Sequence, residues 1–191
     1  MPRNKEKVAQ LKAIKKATRQ LLIALGRDLS HVELRDTPNR VAKLLYKEVC
    51  EKVDLNRLIQ TSPYPYKSAV TVTHHKTFTR CPHHLERVEL DVSIAYIPSG
   101  QLLGVSKLPR IADYCASGLM LQEELTDAIA EVIEAAAKPL GVAVQVLGRH
   151  MCMRARGVKS FNAEMVTTCL RGVYLKDPSA KEEFLNAVSK H

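Results

Sequence analysis

The sequence contains no tryptophan and only three phenylalanines, and aromatic residues make up 5% of its 191 positions. So few rings, none of them interleaved with the basic residues, disfavour a base-stacking nucleic-acid platform. No apolar run approaches the roughly 20 residues that span a bilayer. The start Met1-Pro2-Arg3-Asn4-Lys5 has no apolar signal core behind it, so the cytoplasm is the expected compartment. Close CxxC pairs are absent, and Cys50, Cys81, Cys115, Cys152 and Cys169 form an odd set. A disulfide framework is therefore not expected, and the thiols are free for metal or catalysis. Internal repeats and low-complexity tracts are also lacking, which excludes solenoids and long disordered segments.

What the chain does carry is positive charge, 29 Lys and Arg against 20 Asp and Glu for a formal +9. Such an excess suits nucleic acid, an anionic surface or a polyphosphate substrate. Much of it lies near the start, where Lys5, Lys7, Lys12, Lys15, Lys16 and Arg19 surround Val8, Leu11, Ile14, Leu21, Leu22 and Leu25. That spacing predicts an amphipathic helix with a solvated basic face, in preference to a nucleic-acid-binding module.

The length fits one domain, residues 1–191, in three stretches: a helical region to about 60, a mixed region over 69–176 and a terminal helix from 177. Asp36-Thr37-Pro38 announces a second helix with apolar Val41, Leu44, Leu45 and Val49, and Pro63 and Pro65 mark a loop. Ala69 to Phe78 is rich in β-branched residues. Val88, Leu90, Val92, Ile94 and Tyr96 alternate with Glu89, Asp91 and Ser93, so both stretches read as strands. Leu108 to Lys138 takes helical period, weakened at Gly118, and Pro139-Leu140-Gly141 ends it. Val142 to Leu147 and Glu164 to Leu175 supply two more strands, and Ser179-x-x-Glu182 caps a last helix. This order predicts an α+β domain with helices on one side of a mainly antiparallel sheet.

Two clusters carry chemistry. Cys81-Pro82-His83-His84 sits between two predicted strands, and His150-Met151-Cys152 follows a third. Thiolate and neutral imidazole are preferred zinc ligands, so Cys81, His84 and Cys152 make a three-ligand set that leaves the fourth position for water, as catalytic sites do. His83 and His150, adjacent but not needed as ligands, are placed to move protons. The plainer alternative is a pair of core thiols with loop histidines. Ser106-Lys107-x-x-Arg110 opens the third helix, where N–H groups and dipole favour phosphate, and Arg154-x-Arg156-Gly157 follows the second cluster. Together they form a candidate triphosphate pocket, against a reading as ordinary surface charges. Gln122-Glu123 offers an amide and a carboxylate to the donor edge of guanine, or is simply a surface face.

These motifs, with Tyr96-Ile97-Pro98, Gly104-Val105-Ser106-Lys107-Leu108-x-Arg110, Gln122-Glu123-x-Leu125-Thr126 and His150-Met151-Cys152-Met153-x-x-Arg156-Gly157-Val158, occur in the order seen in GTP cyclohydrolase I, which the chain resembles over roughly residues 20 to 175. Asp36-Thr37-Pro38-x-Arg40-Val41-Ala42-Lys43 resembles the family's N-terminal helix start. The resemblance implies a T-fold, a four-stranded antiparallel sheet with a helix pair on one side, in a toroidal homo-oligomer, a decamer, with active sites between subunits. It implies zinc on Cys81, His84 and Cys152, proton transfer by His83 and His150, guanine held by Gln122 and Glu123, and the triphosphate received by Ser106, Lys107, Arg110 and Arg156. The implied reaction hydrolyses the imidazole ring of GTP at C8, releases formate and gives 7,8-dihydroneopterin triphosphate, a first step shared by pterin, folate and 7-deazaguanine routes.

The chain departs from the family pattern at several points. Pro82 stands where Glu is usual, Arg87-Val88-Glu89-Leu90 where Pro-Phe-x-Gly is usual, Ser117-Gly118 where an Arg pair is usual, Glu124 for Arg and Cys169 for Ser. Pro82 removes a carboxylate and a backbone donor beside the metal ligands. An enzyme that stops at ring opening or takes another purine nucleotide is therefore the variant reading, and a non-catalytic assembly protein is the alternative of another class.

Overall fold

The computed structural model describes residues 2–51 and 53–189. Residues 1, 52, 190 and 191 of the stretches expected above lie outside the described residues. Where one domain was expected, the chain divides into two compact units, Met1–Glu51 and Lys52–His191.

In the first unit, α1 (Pro2–Ala24) packs along α2 (Thr37–Leu45), which continues through one wider turn at Tyr46–Cys50. The inward stripe of α1 is Leu11, Ile14, Thr18 and Leu22, with Thr18 8% exposed and its hydroxyl on the Ile14 carbonyl at 2.9 Å. Val8, Leu21 and Leu25, expected on the same face, are exposed: helical period places Val8 and Leu21 on the flanks of that stripe, and Leu25 stands beyond the end of α1. Lys5, Lys12, Lys15, Lys16 and Arg19 are solvated as expected. Asp36 precedes α2 as read, but its carboxylate pairs with Arg40 at 3.4 Å and caps no backbone N–H.

The second unit holds α3 (Leu55–Leu58), β1 (Thr61–Tyr64), β2 (Val70–Arg80), β3 (Arg87–Ile97), β4 (Gly100–Leu103), α4 (Lys107–Ala116), α5 (Gln122–Ala137), β5 (Gly141–His150), α6 (Met151–Arg154), β6 (Met165–Gly172), α7 (Val173–Lys176) and α8 (Pro178–Ser189). Strands β2, β3, β5 and β6 form one antiparallel sheet in that order. It is the four-stranded T-fold sheet that the resemblance implied. The alternation in β3 sorts its two faces: Val88, Leu90, Val92, Ile94 and Tyr96 join Val142, Val144 and Val146 under the α4 and α5 pair, burying Leu108, Ile111, Leu125, Ile129 and Ile133. Each such side chain contributes about 1.5–3 kcal/mol by leaving water. The opposite face is covered in part by α7 and α8, whose Tyr174 and Phe184 pack on Ala95 and Ala143.

Three local readings change. The expected long helix is two, because Gly118 at φ +147° and the stretch from Ser117 to Leu121 break it. The Pro-containing loop at 61–64 is instead a short strand on β4, tied in where the buried Tyr96 hydroxyl donates to Leu103 O at 2.8 Å and accepts from Leu103 N at 2.9 Å. At the start of α8 it is Asp177 that accepts from Ser179 N at 2.9 Å, so the capping side chain is Asp177. Strand β2 also carries an irregularity, with the pairing register shifting between Val72 and His75 and His74 held at φ +57°.

Candidate active site

Both ligand clusters arrive at one end of the sheet because β2 ends, β3 begins and β5 ends there: Arg80 pairs with Arg87, and Val88 with His150. Between β2 and β3 the chain closes a tight loop, with Leu85 N on Cys81 O and Cys81 N on Glu86 O, both at 2.9 Å. Pro82 is compatible with this turn, which is closed by the backbone bonds of Leu85 N and Cys81 N, and Leu85 takes a left-handed conformation at φ +57°. Cys152 comes from α6, immediately after β5. Thr79 ties the same end to α4, its buried hydroxyl donating to Ala116 O at 2.8 Å.

Ligand atoms of Cys81, His84 and Cys152 all lie within 4.8 Å of one another. Cys81 Sγ is 3.8 Å from His84 Nδ1 and also 3.8 Å from His83 Nδ1. Ligands bound at about 2.0–2.3 Å in a tetrahedron stand about 3.3–3.8 Å apart, so the set fits zinc in spacing and in donor chemistry. Cys81 is buried, Cys152 half-buried and His84 exposed, leaving one side open to a ligand. Burial pushes the Cys152 thiol up and its neighbour Cys81 adds to this, while the charge of Arg156 opposes it.

The ligands border a cavity of about 250 Å³ that also receives His83, Gln122, Glu123 and His150. Glu123 stands in the first turn of α5, where the helix dipole stabilises a carboxylate by about 0.3–1 kcal/mol. Glu124, in place of the family's usual Arg, accepts from Leu121 N at 3.0 Å and so closes the start of α5. Burial holds His150 below the ordinary imidazole range, and the charge of Glu123 partly offsets this. Gln122, expected to hold guanine, is engaged inside the protein. It is 4% exposed, with its amide nitrogen on backbone and Thr167 acceptors and its oxygen on His150 Nε2 at 2.9 Å.

The anion residues are not gathered in one place. Arg156 follows the metal cluster, and Arg154 is engaged by the Phe161 carbonyl and ring. Ser106, Lys107 and Arg110 lie at the N-terminal end of α4, with Lys107 Nζ on Gln60 O. The C-terminal end of α4 abuts Thr79, so Ser106 lies about 15 Å of helix away from the metal end of its own chain. Gly148, Thr126 and Thr167, to which the sequence reading gave no role, surround Gln122. The signal that could have found the close approach was Gly148 itself, which stands just after the expected strand and inside the observed β5.

The family profile described as GTP cyclohydrolase I matches residues 14–189. The GTP cyclohydrolase 1 of Leptospira biflexa is 36% identical over 172 residues, covering 88% of this chain and 94% of its own. That of Coxiella burnetii is 38% identical over 176 residues, covering 89% and 94%. That of Drosophila melanogaster is 38% identical over 184 residues, covering 95% of this chain and 57% of its own. Among solved structures, an archaeosine synthase QueF-like protein in its apo form aligns with a TM-score of 0.46 and 23% identity over 56% of this chain and 96% of its own.

Proposed function

Because this chain belongs to the GTP cyclohydrolase I family and is an enzyme of that kind, we propose that it hydrolyses the guanine imidazole ring of GTP at C8, releasing formate and forming 7,8-dihydroneopterin triphosphate, with zinc as its metal and the cytoplasm as its compartment. The observation that carries this reading is the convergence of a zinc-spaced Cys81, His84 and Cys152 set with His83, His150 and Glu123 around one cavity. Zinc held there supplies Lewis acidity, making water a competent nucleophile near neutral pH.

The remaining roles belong to side chains. Glu123, at the mouth of α5, accepts the N1–H and 2-amino hydrogens of guanine, which turns the imidazole part of the base toward the ligands. His150, half-buried and held below the ordinary imidazole range, takes a proton from the attacking water, and exposed His83 returns one to the opening ring nitrogen. Ser106, Lys107, Arg110 and Arg156 receive the triphosphate. The first three lie at the far end of α4, so the full set closes only when a second copy of the chain brings its own α4 to this pocket, in the toroidal homo-oligomer we propose.

Incubating zinc-loaded protein with GTP, while following formate and the mass of the nucleotide product, tests the reading. Formate with a pterin triphosphate is the expected result. A ring-opened formamide without formate would move the reading to the truncated reaction and implicate Pro82, which lines the pocket in place of a carboxylate. Unchanged GTP would refute the proposal.

A further inference from the structure

We infer that Gln122 is a positioning residue for His150, fixing which ring nitrogen carries hydrogen, and is not a reader of the purine. This deepens the reading above and rests on it for its kinetic consequences only.

Every hydrogen around Gln122 is assigned by its neighbours. Its Nε2 lies 3.0 Å from Val146 O, 3.0 Å from Met165 O and 3.2 Å from Thr167 Oγ1. Carbonyl oxygens only accept, so the amide nitrogen must face them; a flipped amide would set oxygen against oxygen. Thr126 donates to Gln122 O at 2.8 Å, so in its 2.6 Å contact with Thr167 the donor is Thr167, whose lone pairs are then left for Gln122. Both Nε2 hydrogens are thereby used, and none remains for a base.

Gln122 Oε1 is consequently the atom 2.9 Å from His150 Nε2. An amide oxygen only accepts, so Nε2 bears the hydrogen and the neutral ring keeps its lone pair on Nδ1. Strand β5 makes room for this pair at Gly148. A Cβ there would lie 1.9 Å from Gln122 Oε1, 2.9 Å from Gln122 Cδ and 3.2 Å from His150 Nε2. Gly148 is thus the cradle of the pair, and Gly148→Ala perturbs it from a position that does not line the cavity.

The test compares GTP with inosine triphosphate, which lacks the 2-amino group, on zinc-loaded wild type, Gln122→Leu, Gly148→Ala and the double variant. A positioning role predicts that kcat falls at least about tenfold in each single variant. KM and the preference for GTP over inosine triphosphate stay as in wild type, and the double variant falls no further than the worse single. A raised KM with kcat retained, or loss of the GTP preference, would overturn the inference. Should the variants not fold, 15N NMR of histidine-labelled wild type, assigned against His150→Ala, decides directly: hydrogen on Nε2 supports it and hydrogen on Nδ1 alone overturns it. Wild type that leaves GTP untouched would instead refute the functional reading, while the ring-nitrogen result would still decide this one.

Discussion

Two inactive variants should regain activity when assembled together. His84→Ala removes one member of the proposed zinc set at one end of the second unit, and Lys107→Glu reverses a charge at the start of α4, about 15 Å of helix from the Ala116 end that abuts Thr79. If each reaction centre takes its metal ligands from one copy and its α4 cations from another, a centre in a randomly mixed oligomer is intact with a chance of one half for each part. About a quarter of the centres then work. If one copy supplied both parts, every centre would lack one and activity would be nil. Co-expression of the two chains with different tags, tandem purification of mixed oligomers and measurement of formate release from GTP give the number. Mixed oligomers with no more activity than either parent would refute the shared-centre reasoning.

Other perturbations have equally definite outcomes. Gly172→Ala should cost about 3 kcal/mol or more in urea unfolding, since Gly172 sits at φ +61° and its Cβ would lie 2.1 Å from Leu140 O, a backbone atom that cannot rotate away. Asp91→Asn should lower stability at neutral pH by about 1–2 kcal/mol. Burial pushes the Asp91 carboxyl up, but the hydrogen bonds from Lys76 and His74 outweigh it and hold it below its ordinary 3.8. Its stabilisation is therefore complete above that value and lost as pH falls further, so the variant should show a flatter stability curve in that acid range. Dialysis against a strong chelator should abolish formate release and leave Cys152 open to alkylation, with zinc restoring activity and protecting the thiol.

Much of the second unit was legible in the sequence because its signals are local. The alternation from Val88 to Tyr96 needed no tertiary information to declare a two-faced strand, and the ligand types at Cys81, His84 and Cys152 carry their chemistry wherever they stand. What was not legible depends on contacts across the chain. The strand at Thr61–Tyr64 exists because β4 offers a partner and Tyr96 anchors it, against the local preference of Pro63 and Pro65. Val8 and Leu21 share hydrophobicity with Leu11 and Leu22 but not their stripe, a difference of helical phase that composition does not show. Gln122 has the right chemistry for a base, and only the acceptors at Val146 and Met165 reveal that its hydrogens are spent.

The irregularity in β2 gives the metal site a reading frame. Before it, even-numbered Val70 and Val72 stand opposite Tyr96 and Ile94 on the helix side. After it, odd-numbered His75, Thr77 and Thr79 stand opposite Val92, Leu90 and Val88 on that same side. Two residues of β2, Thr73 and His74, oppose the single Ser93, and this extra residue changes the parity of everything that follows. Cys81 inherits the odd frame and so comes up on the side of α5 and Cys152. In an even-framed strand it would leave the sheet on the α8 side, with a layer of backbone between the thiol and its partners. Deleting Thr73 removes the extra residue together with the bulge, so that His74 opposes Ser93 and His75 still opposes Val92; Cys81 should then keep its side of the sheet, and zinc binding should survive the deletion.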